Sequence, residues 1–200
     1  MTETTGICAA ILAAGQSKRF GDQDKLAAKL NGKMLGLHAA ETVASLGLSK
    51  VAVVVSPAQS PCIASWSALG FDIIVNNEAA QGMGSSVAHA AQFASKCNAD
   101  GLLVCLADMP FISAPLLDRL TGAFEENRRK GAFAASNEDV SLPPAIFGAE
   151  KFPELALLSG AQGARQLLST ATAIPATSRE IADIDHVTEL DRWNDHRNHP

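Results

Sequence analysis

Four unbroken apolar runs mark the first half of the chain: Gly6 to Leu12, Val51 to Val55 (VAVVV, ended by Ser56-Pro57), Phe71 to Val75 (FDIIV) and Leu102 to Leu106 (LLVCL). Runs of this length without alternation are the pattern of strands covered on both faces. Between them the apolar positions recur at helical spacing. Met34 to Leu46 places Leu35, His38, Ala39, Thr42, Val43 and Leu46 on one side, and Ser85 to Ser95 is an Ala-rich helix with Val87, Ala91 and Phe93 inward. Ser113 reads as an N-cap, with Pro115 in the first turn and Leu116, Leu117, Leu120 and Phe124 as the apolar face. Strands alternating with helices predict an α/β domain with a mainly parallel sheet.

Beyond Gly131 the pattern loosens. Ala132 to Ala135 reads as a further strand, Leu142 to Phe147 is extended by its prolines, and Gly160 to Ser169 is a loop entering a short helix. Asp185 is placed to cap a last helix with Val187, Leu190 and Trp193 inward. No repeat or low-complexity linker divides the chain. The expectation is a single domain over residues 1–200, with an irregular excursion from about residue 137 to 165.

Composition narrows the function classes. The 200 residues are 47% hydrophobic and 18% charged, which fits one globular domain that needs no metal or disulfide to fold. Aromatics are 5% with no tyrosine, and the net charge is -5. Stacking platforms for nucleic acid are therefore scarce and no global basic field invites it, so a polyanionic ligand has to be held by a local cluster. Cys8, Cys62, Cys97 and Cys105 form no C-x-x-C or zinc spacing and read as buried free thiols of a reducing cytosol. No basic n-region precedes the first apolar run, and no window approaches the length of a membrane span, so a cytoplasmic protein without signal peptide or membrane segment is expected.

The candidate chemistry starts where the first strand ends, in ILAAGQSKRFG, residues 11–21. Ala13-Ala14-Gly15 leaves backbone N–H groups uncovered, a good anion cradle, and Arg19 and Lys25 supply charge. It is not a P-loop, and alone it also reads as a turn with a solvated basic tip. Gly82-Met83-Gly84-Ser85-Ser86-Val87 half-resembles a dinucleotide fingerprint but lacks the last glycine, and Ser85 or Ser86 is placed to cap the next helix. Asp108 comes just after the most buried strand, at the end where α/β sheets bind ligands, and hard cations want such carboxylates beside substrate phosphates. Asp183 and Asp185 alternate about Ile184, so both carboxylates share a face if that segment is extended. Each acid also reads as a turn or capping residue. The five histidines show no metal spacing, and no G-x-S-x-G elbow accompanies the serines.

Taken in order, these pieces resemble the nucleotidyltransferases of the molybdenum cofactor, MobA-like NTP transferases, and within them the cytidylyltransferase (MocA-like) branch. The resemblance rests on Leu12 to Gly21 with Lys25-Leu26 after it, on Asn76 with Gly82-Met83-Gly84-Ser85-Ser86, and on Asp108-Met109-Pro110. Weaker matches are Pro144 to Phe147, Gly160 to Arg165 and Asp183-Ile184-Asp185. It implies a Rossmann-like, three-layer α/β/α nucleotide-diphospho-sugar transferase fold. It also implies Mg²⁺-dependent transfer of CMP from CTP to the phosphate of molybdopterin, with release of pyrophosphate. Ala14 stands where the guanylyl branch carries glycine, hence CTP.

The same resemblance assigns roles. Arg19, Lys25 and Asp108 are the catalytic set: Arg19 on the β and γ phosphates, Lys25 at the α phosphate, Asp108 on the metal. Asp185 is the second metal ligand, with Asp183 as its alternative. Leu12, Ala13, Ala14, Gly15, Ser17, Arg19, Lys25, Asn76, Gly82 and Ser86 surround the nucleotide. The substrates are an NTP and a molybdopterin-type phosphate, and a molybdoenzyme or its chaperone is left open as a protein partner. Three positions depart from the family: Ala161 replaces an acid on the acceptor side, His186-Val187 replaces Thr-Pro, and Ala79 replaces an aromatic. They keep open guanylyl transfer, a different small phosphate such as methylerythritol phosphate as acceptor, and a catalytically weak cofactor-binding chaperone.

Overall fold

The computed structural model describes residues 6–15, 20, 24–58, 60–138, 140–160 and 168–195. In chain order they form β1 (Ile7–Ala13), β2 (Lys29–Leu30), β3 (Lys33–Met34), α1 (Leu35–Ala44), β4 (Val51–Val55), α2 (Ile63–Ala68), β5 (Asp72–Val75), α3 (Met83–Lys96), β6 (Gly101–Leu106), α4 (Ala114–Glu126), β7 (Ala132–Asn137), β8 (Val140–Gly148), α5 (Phe152–Leu155), β9 (Thr172–Pro175) and α6 (Val187–Asp195). Short 3₁₀ turns occupy Lys25–Ala27, Ala79–Gln81 and Ala149–Lys151.

A seven-stranded sheet in the order β5-β4-β1-β6-β8-β7-β9 organises the molecule, and β2 and β3 form a separate hairpin. β1 pairs in parallel with β4 and β6, and β4 with β5. β8 runs antiparallel to both β6 and β7, while β7 and β9 are parallel. The layers are visible in β1, all of whose residues are buried. Its odd positions Ile7, Ala9, Ile11 and Ala13 join a core with Trp66 of α2 and Leu116, Leu117 and Leu120 of α4. Its even positions Cys8, Ala10 and Leu12 join a second core with Val87, Ala90 and Ala94 of α3 and Phe152 and Leu155 of α5. Period-two alternation on a strand buried on both faces thus yields the three-layer α/β/α arrangement expected from the sequence.

Differences from the expectation are local. The excursion expected at 137–165 contains the nine-residue strand β8 and helix α5. The register between β7 and β8 shifts at Ala134/Ala135, so that Pro143 and Pro144 fall between the pairs Ala134–Ala145 and Ala135–Leu142. A bulge is where a paired strand tolerates proline, and the prolines therefore do not end it. Helix α3 has Gly82 at its N-cap position, with φ 114° and no side-chain cap, and Ser85 and Ser86 lie inside the first turn instead. In α6, Leu190 is buried but Val187 is exposed, because only a narrow stripe of this polar helix faces the protein.

A third, smaller apolar cluster gathers Phe20, Leu30, Leu35, Ile184 and Leu190, with Phe111 and Trp193 packed against it. It joins Phe20, β2 and the start of α1 to the segment that leads into α6. β1 and β6 are the neighbours at which the strand order reverses, and their carboxyl ends open the crevice where doubly wound sheets bind ligands.

Candidate active site

Two strand ends supply the floor of that crevice. Leu12 pairs with Leu106, and the Ala107 amide donates to the Leu12 carbonyl at 3.1 Å, fixing Ala14-Gly15 beside Asp108. A cleft of about 290 Å³ lies over them, lined by Leu12, Ala14, Gly15, Ala79, Ala80, Gly82, Met83, Ser86, Leu106 and Asp108. Its size is near the lower end for small-ligand sites.

Lys25 bonds to Asp108 of that lining. It opens a 3₁₀ turn capped by Asp24, whose carboxylate accepts from the Leu26 amide at 2.9 Å. Its side chain is only 8% exposed, yet its Nζ donates to Asp108 Oδ2 at 2.8 Å and to Asp185 Oδ1 at 2.7 Å. Burial works against the charged form of Lys25, but the two carboxylates outweigh it and hold the ammonium above the ordinary lysine range. Asp183 stands two residues before Asp185 and is exposed. Partial desolvation, then the charges of Asp185 and Asp108, push it above the usual carboxylate range, an effect that solvent screening keeps modest.

Asp185 reaches the site because the segment before α6 is tied down. The Ile184 amide donates to the Asp108 carbonyl at 3.0 Å, and the Ile184 side chain is fully buried in the third cluster. Glu189 accepts from the amides of Asp185 at 2.7 Å and His186 at 2.9 Å, the backward-reaching half of a capping box at the start of α6. Sequence reading misses Glu189 and the structural part played by Ile184. The spacing of Glu189 three residues beyond His186 is the signal for it.

The structure redistributes other expected site residues. Ala13 is buried in the sheet core rather than lining the cleft. Asn76 has no exposed surface: its amide donates to Ser85 and Ser86 Oγ at 2.9 and 3.0 Å, and its Oδ1 accepts from the Glu78 amide. Asn76 is not in the cleft lining itself; it braces Ser86, which is. Leu12, Ala14, Gly15, Gly82 and Ser86 do line the cleft, joined by Ala79, Ala80, Met83 and Leu106. Leu106 has a signal, being last in the run before Asp108, and Ala79 has one in the family aromatic that it replaces; Ala80 has none. Ser17, Arg19 and the Ala161 to Arg165 segment lie outside the described residues. Gly84 has a separate task. A Cβ there would come within 2.7 Å of the Gly160 carbonyl oxygen, so the close approach of residues 159–160 to α3 requires glycine. The four cysteines are free thiols; burial pushes Cys8 and Cys105 up to about 12, and Cys97 is only half-buried.

With this geometry in view, similarity to known proteins becomes informative. Residues 9–177 match the profile of the MobA-like NTP transferase domain. The chain belongs to that family of nucleotidyltransferases. It is 32% identical over 198 residues to the purine catabolism protein PucB of Bacillus subtilis (strain 168), covering 90% of this chain and 92% of that protein. It is 29% identical over 172 residues to nicotine blue oxidoreductase of Paenarthrobacter nicotinovorans, with 84% and 83% covered. To a probable molybdenum cofactor guanylyltransferase of Thermococcus sibiricus it is 32% identical over 117 residues, covering 58% of this chain and 55% of that one. In fold it resembles Rv0371c of Mycobacterium tuberculosis, at TM-score 0.77 and 19% identity over 96% of this chain and 98% of that one. A structure of Rv0371c in complex with manganese superposes at TM-score 0.72 and 17% identity, covering 96% and 99%. In this MobA-like chain, no helix among the described residues is long and apolar enough to cross a membrane.

A divalent cation fits the MobA-like site. Asp108 and Asp185 already converge on one cationic point, and both are hard oxygen donors. Among the described residues no group of three or more His, Cys, Asp or Glu could hold a metal alone. Two carboxylates completed by substrate phosphates are the usual Mg²⁺ arrangement, whereas an all-protein cage is not.

Proposed function

We propose that the chain transfers CMP from CTP to the phosphate of molybdopterin and releases pyrophosphate. The observation that carries the reading is the bonding of Lys25 to both Asp108, which lines the cleft between β1 and β6, and Asp185. Donor and acceptor are both anions, so catalysis is chiefly positioning and charge neutralisation. Asp108 and Asp185 would hold Mg²⁺, which when bound offsets phosphate charge and polarises the α phosphorus. Lys25 neutralises charge at the α phosphate, and Arg19 holds the β and γ phosphates. The acceptor phosphate oxygen attacks the α phosphorus as the bond to the pyrophosphate oxygen breaks, so no side-chain nucleophile is needed. Ser17 stands two residues before Arg19 in the sequence and is assigned to the nucleotide with it, and Asp183 is the alternative ligand.

Ala14 supports CTP: its methyl group borders the cleft where the guanylyl branch has hydrogen. Guanylyl transfer is the second reading, favoured by relatives named molybdenum cofactor guanylyltransferase. The test is incubation with Mg²⁺, molybdopterin and each of the NTPs, with pyrophosphate release and the mass of the product as readouts. CTP should give the largest yield. A GTP preference selects the second reading. No pyrophosphate with any NTP leaves the cofactor-binding chaperone.

A further inference from the structure

Lys25 occupies the point on which the two proposed metal carboxylates converge. Its ammonium is buried there, while the backbone beneath it is fixed by the Asp24 cap, by the Cys62 thiol on the Leu26 carbonyl at 3.3 Å, and by the Leu35 amide on the Ala28 carbonyl at 2.8 Å. The turn is therefore rigid and the adjustable part is the flexible lysine stem. Mg²⁺ held by the same oxygens would compete with the ammonium for them and repel its positive charge.

We propose that Lys25 is an exchangeable counter-ion: it holds Asp108 and Asp185 together until a divalent cation replaces it, and the displaced ammonium then turns to the phosphates of the bound nucleotide. The proposal rests on Asp108 and Asp185 as metal ligands. It adds an order to the site, since metal and nucleotide each remove an obstacle to the other. A phosphate partner for Lys25 frees the carboxylates, and a metal on the carboxylates frees Lys25. By linkage the two ligands favour each other by the same factor. The exchange also keeps the two carboxylates, with Asp183 beside them, from facing each other uncompensated.

The experiment uses Mn²⁺ alone, without nucleotide, titrated by the electron paramagnetic resonance signal of free Mn²⁺. Lys25→Met should bind Mn²⁺ at least roughly fivefold tighter than the parent, the lower end of ordinary coupling factors. Lys25→Arg, which keeps the charge, should stay near the parent. Weaker or equal binding by Lys25→Met overturns the exchange. A second measurement needs no variant and covers a Lys25→Met chain that does not fold. Acylation of lysines, located by peptide mass, should accelerate at Lys25 on adding Mn²⁺ and stay constant at the distant Lys96. Unchanged or slower acylation at Lys25 overturns the proposal. Neither readout requires turnover. Tighter Mn²⁺ binding without any pyrophosphate release upholds the exchange and removes the transferase reading. Pyrophosphate release without Mn²⁺ binding to either protein does the reverse.

Discussion

The two halves of the sheet make the site in different ways. In the parallel half, β5-β4-β1-β6, the cleft is made by the residues just beyond two neighbouring strands, Ala14-Gly15 after β1 and Asp108 after β6. In the other half, β8-β7-β9, no strand end among the described residues lines that cleft; the contribution comes from the segment after β9, which returns to lay Ile184 on Asp108 and Asp185 on Lys25. The first half is a scaffold whose topology creates a site, and the second delivers one carboxylate by a packed arm. Loss of packing should therefore mean different things in the two halves.

The largest effect belongs to their shared point. Asp108→Asn should cut turnover on the order of a hundredfold to a thousandfold, with circular dichroism unchanged, as for loss of a group that stabilises transition-state charge. Near-normal turnover would take Asp108 out of the reaction. The arm comes next. Ile184→Ala should cost about 2–3 kcal/mol of stability, toward the low end for a buried aliphatic truncation because its cluster is small, and should also weaken Mn²⁺ binding. Val53→Ala in β4, equally buried, should destabilise by about 1–2 kcal/mol while leaving Mn²⁺ binding of the folded protein unchanged. Equal metal effects from both would erase the distinction between scaffold and arm.

Gly84→Ala probes the contact between α3 and residues 159–160. The added methyl has backbone on one side, so about 1–3 kcal/mol of strain is expected, together with a raised KM for the acceptor. An unchanged acceptor KM would show that this segment does not border the acceptor. The smallest effect is at Ala14: Ala14→Gly should shift the CTP/GTP ratio toward GTP by up to roughly tenfold, the discrimination one methyl group supports. An unchanged ratio would remove Ala14 from base selection. The pH dependence comes from Lys25, whose folded value lies above its ordinary one. Its stabilising contribution is complete at neutral pH and is lost only as the pH climbs through that raised value. Alkaline unfolding should therefore shift to lower pH in Asp108→Asn, which loses that partner.

The parallel half is legible in the sequence because its signals are local. Unbroken apolar runs mark strands buried on both faces, and small or acidic residues just beyond them mark the crevice. The other half is less so. Pro143 and Pro144 mark their segment as extended, but its pairing as β8 relies on a register shift, and such a shift is a property of the pairing rather than of either strand. Asn76 illustrates a subtler limit: motif position puts it at the nucleotide, while its complete burial gives its polar atoms to Ser85, Ser86 and Glu78. Lys25, Asp108 and Asp185 are each identifiable from sequence, but their bonding to one another, across 83 and 160 residues, depends on tertiary packing.

The most direct test of the proposed reaction tracks the α phosphate. With CTP labelled there, Mg²⁺ and molybdopterin, the label should move to the acceptor while unlabelled pyrophosphate is released, and Asp108→Asn should slow both on the order of a hundredfold to a thousandfold. Label remaining entirely in CTP, or label transfer that survives Asp108→Asn at the parent rate, would contradict it.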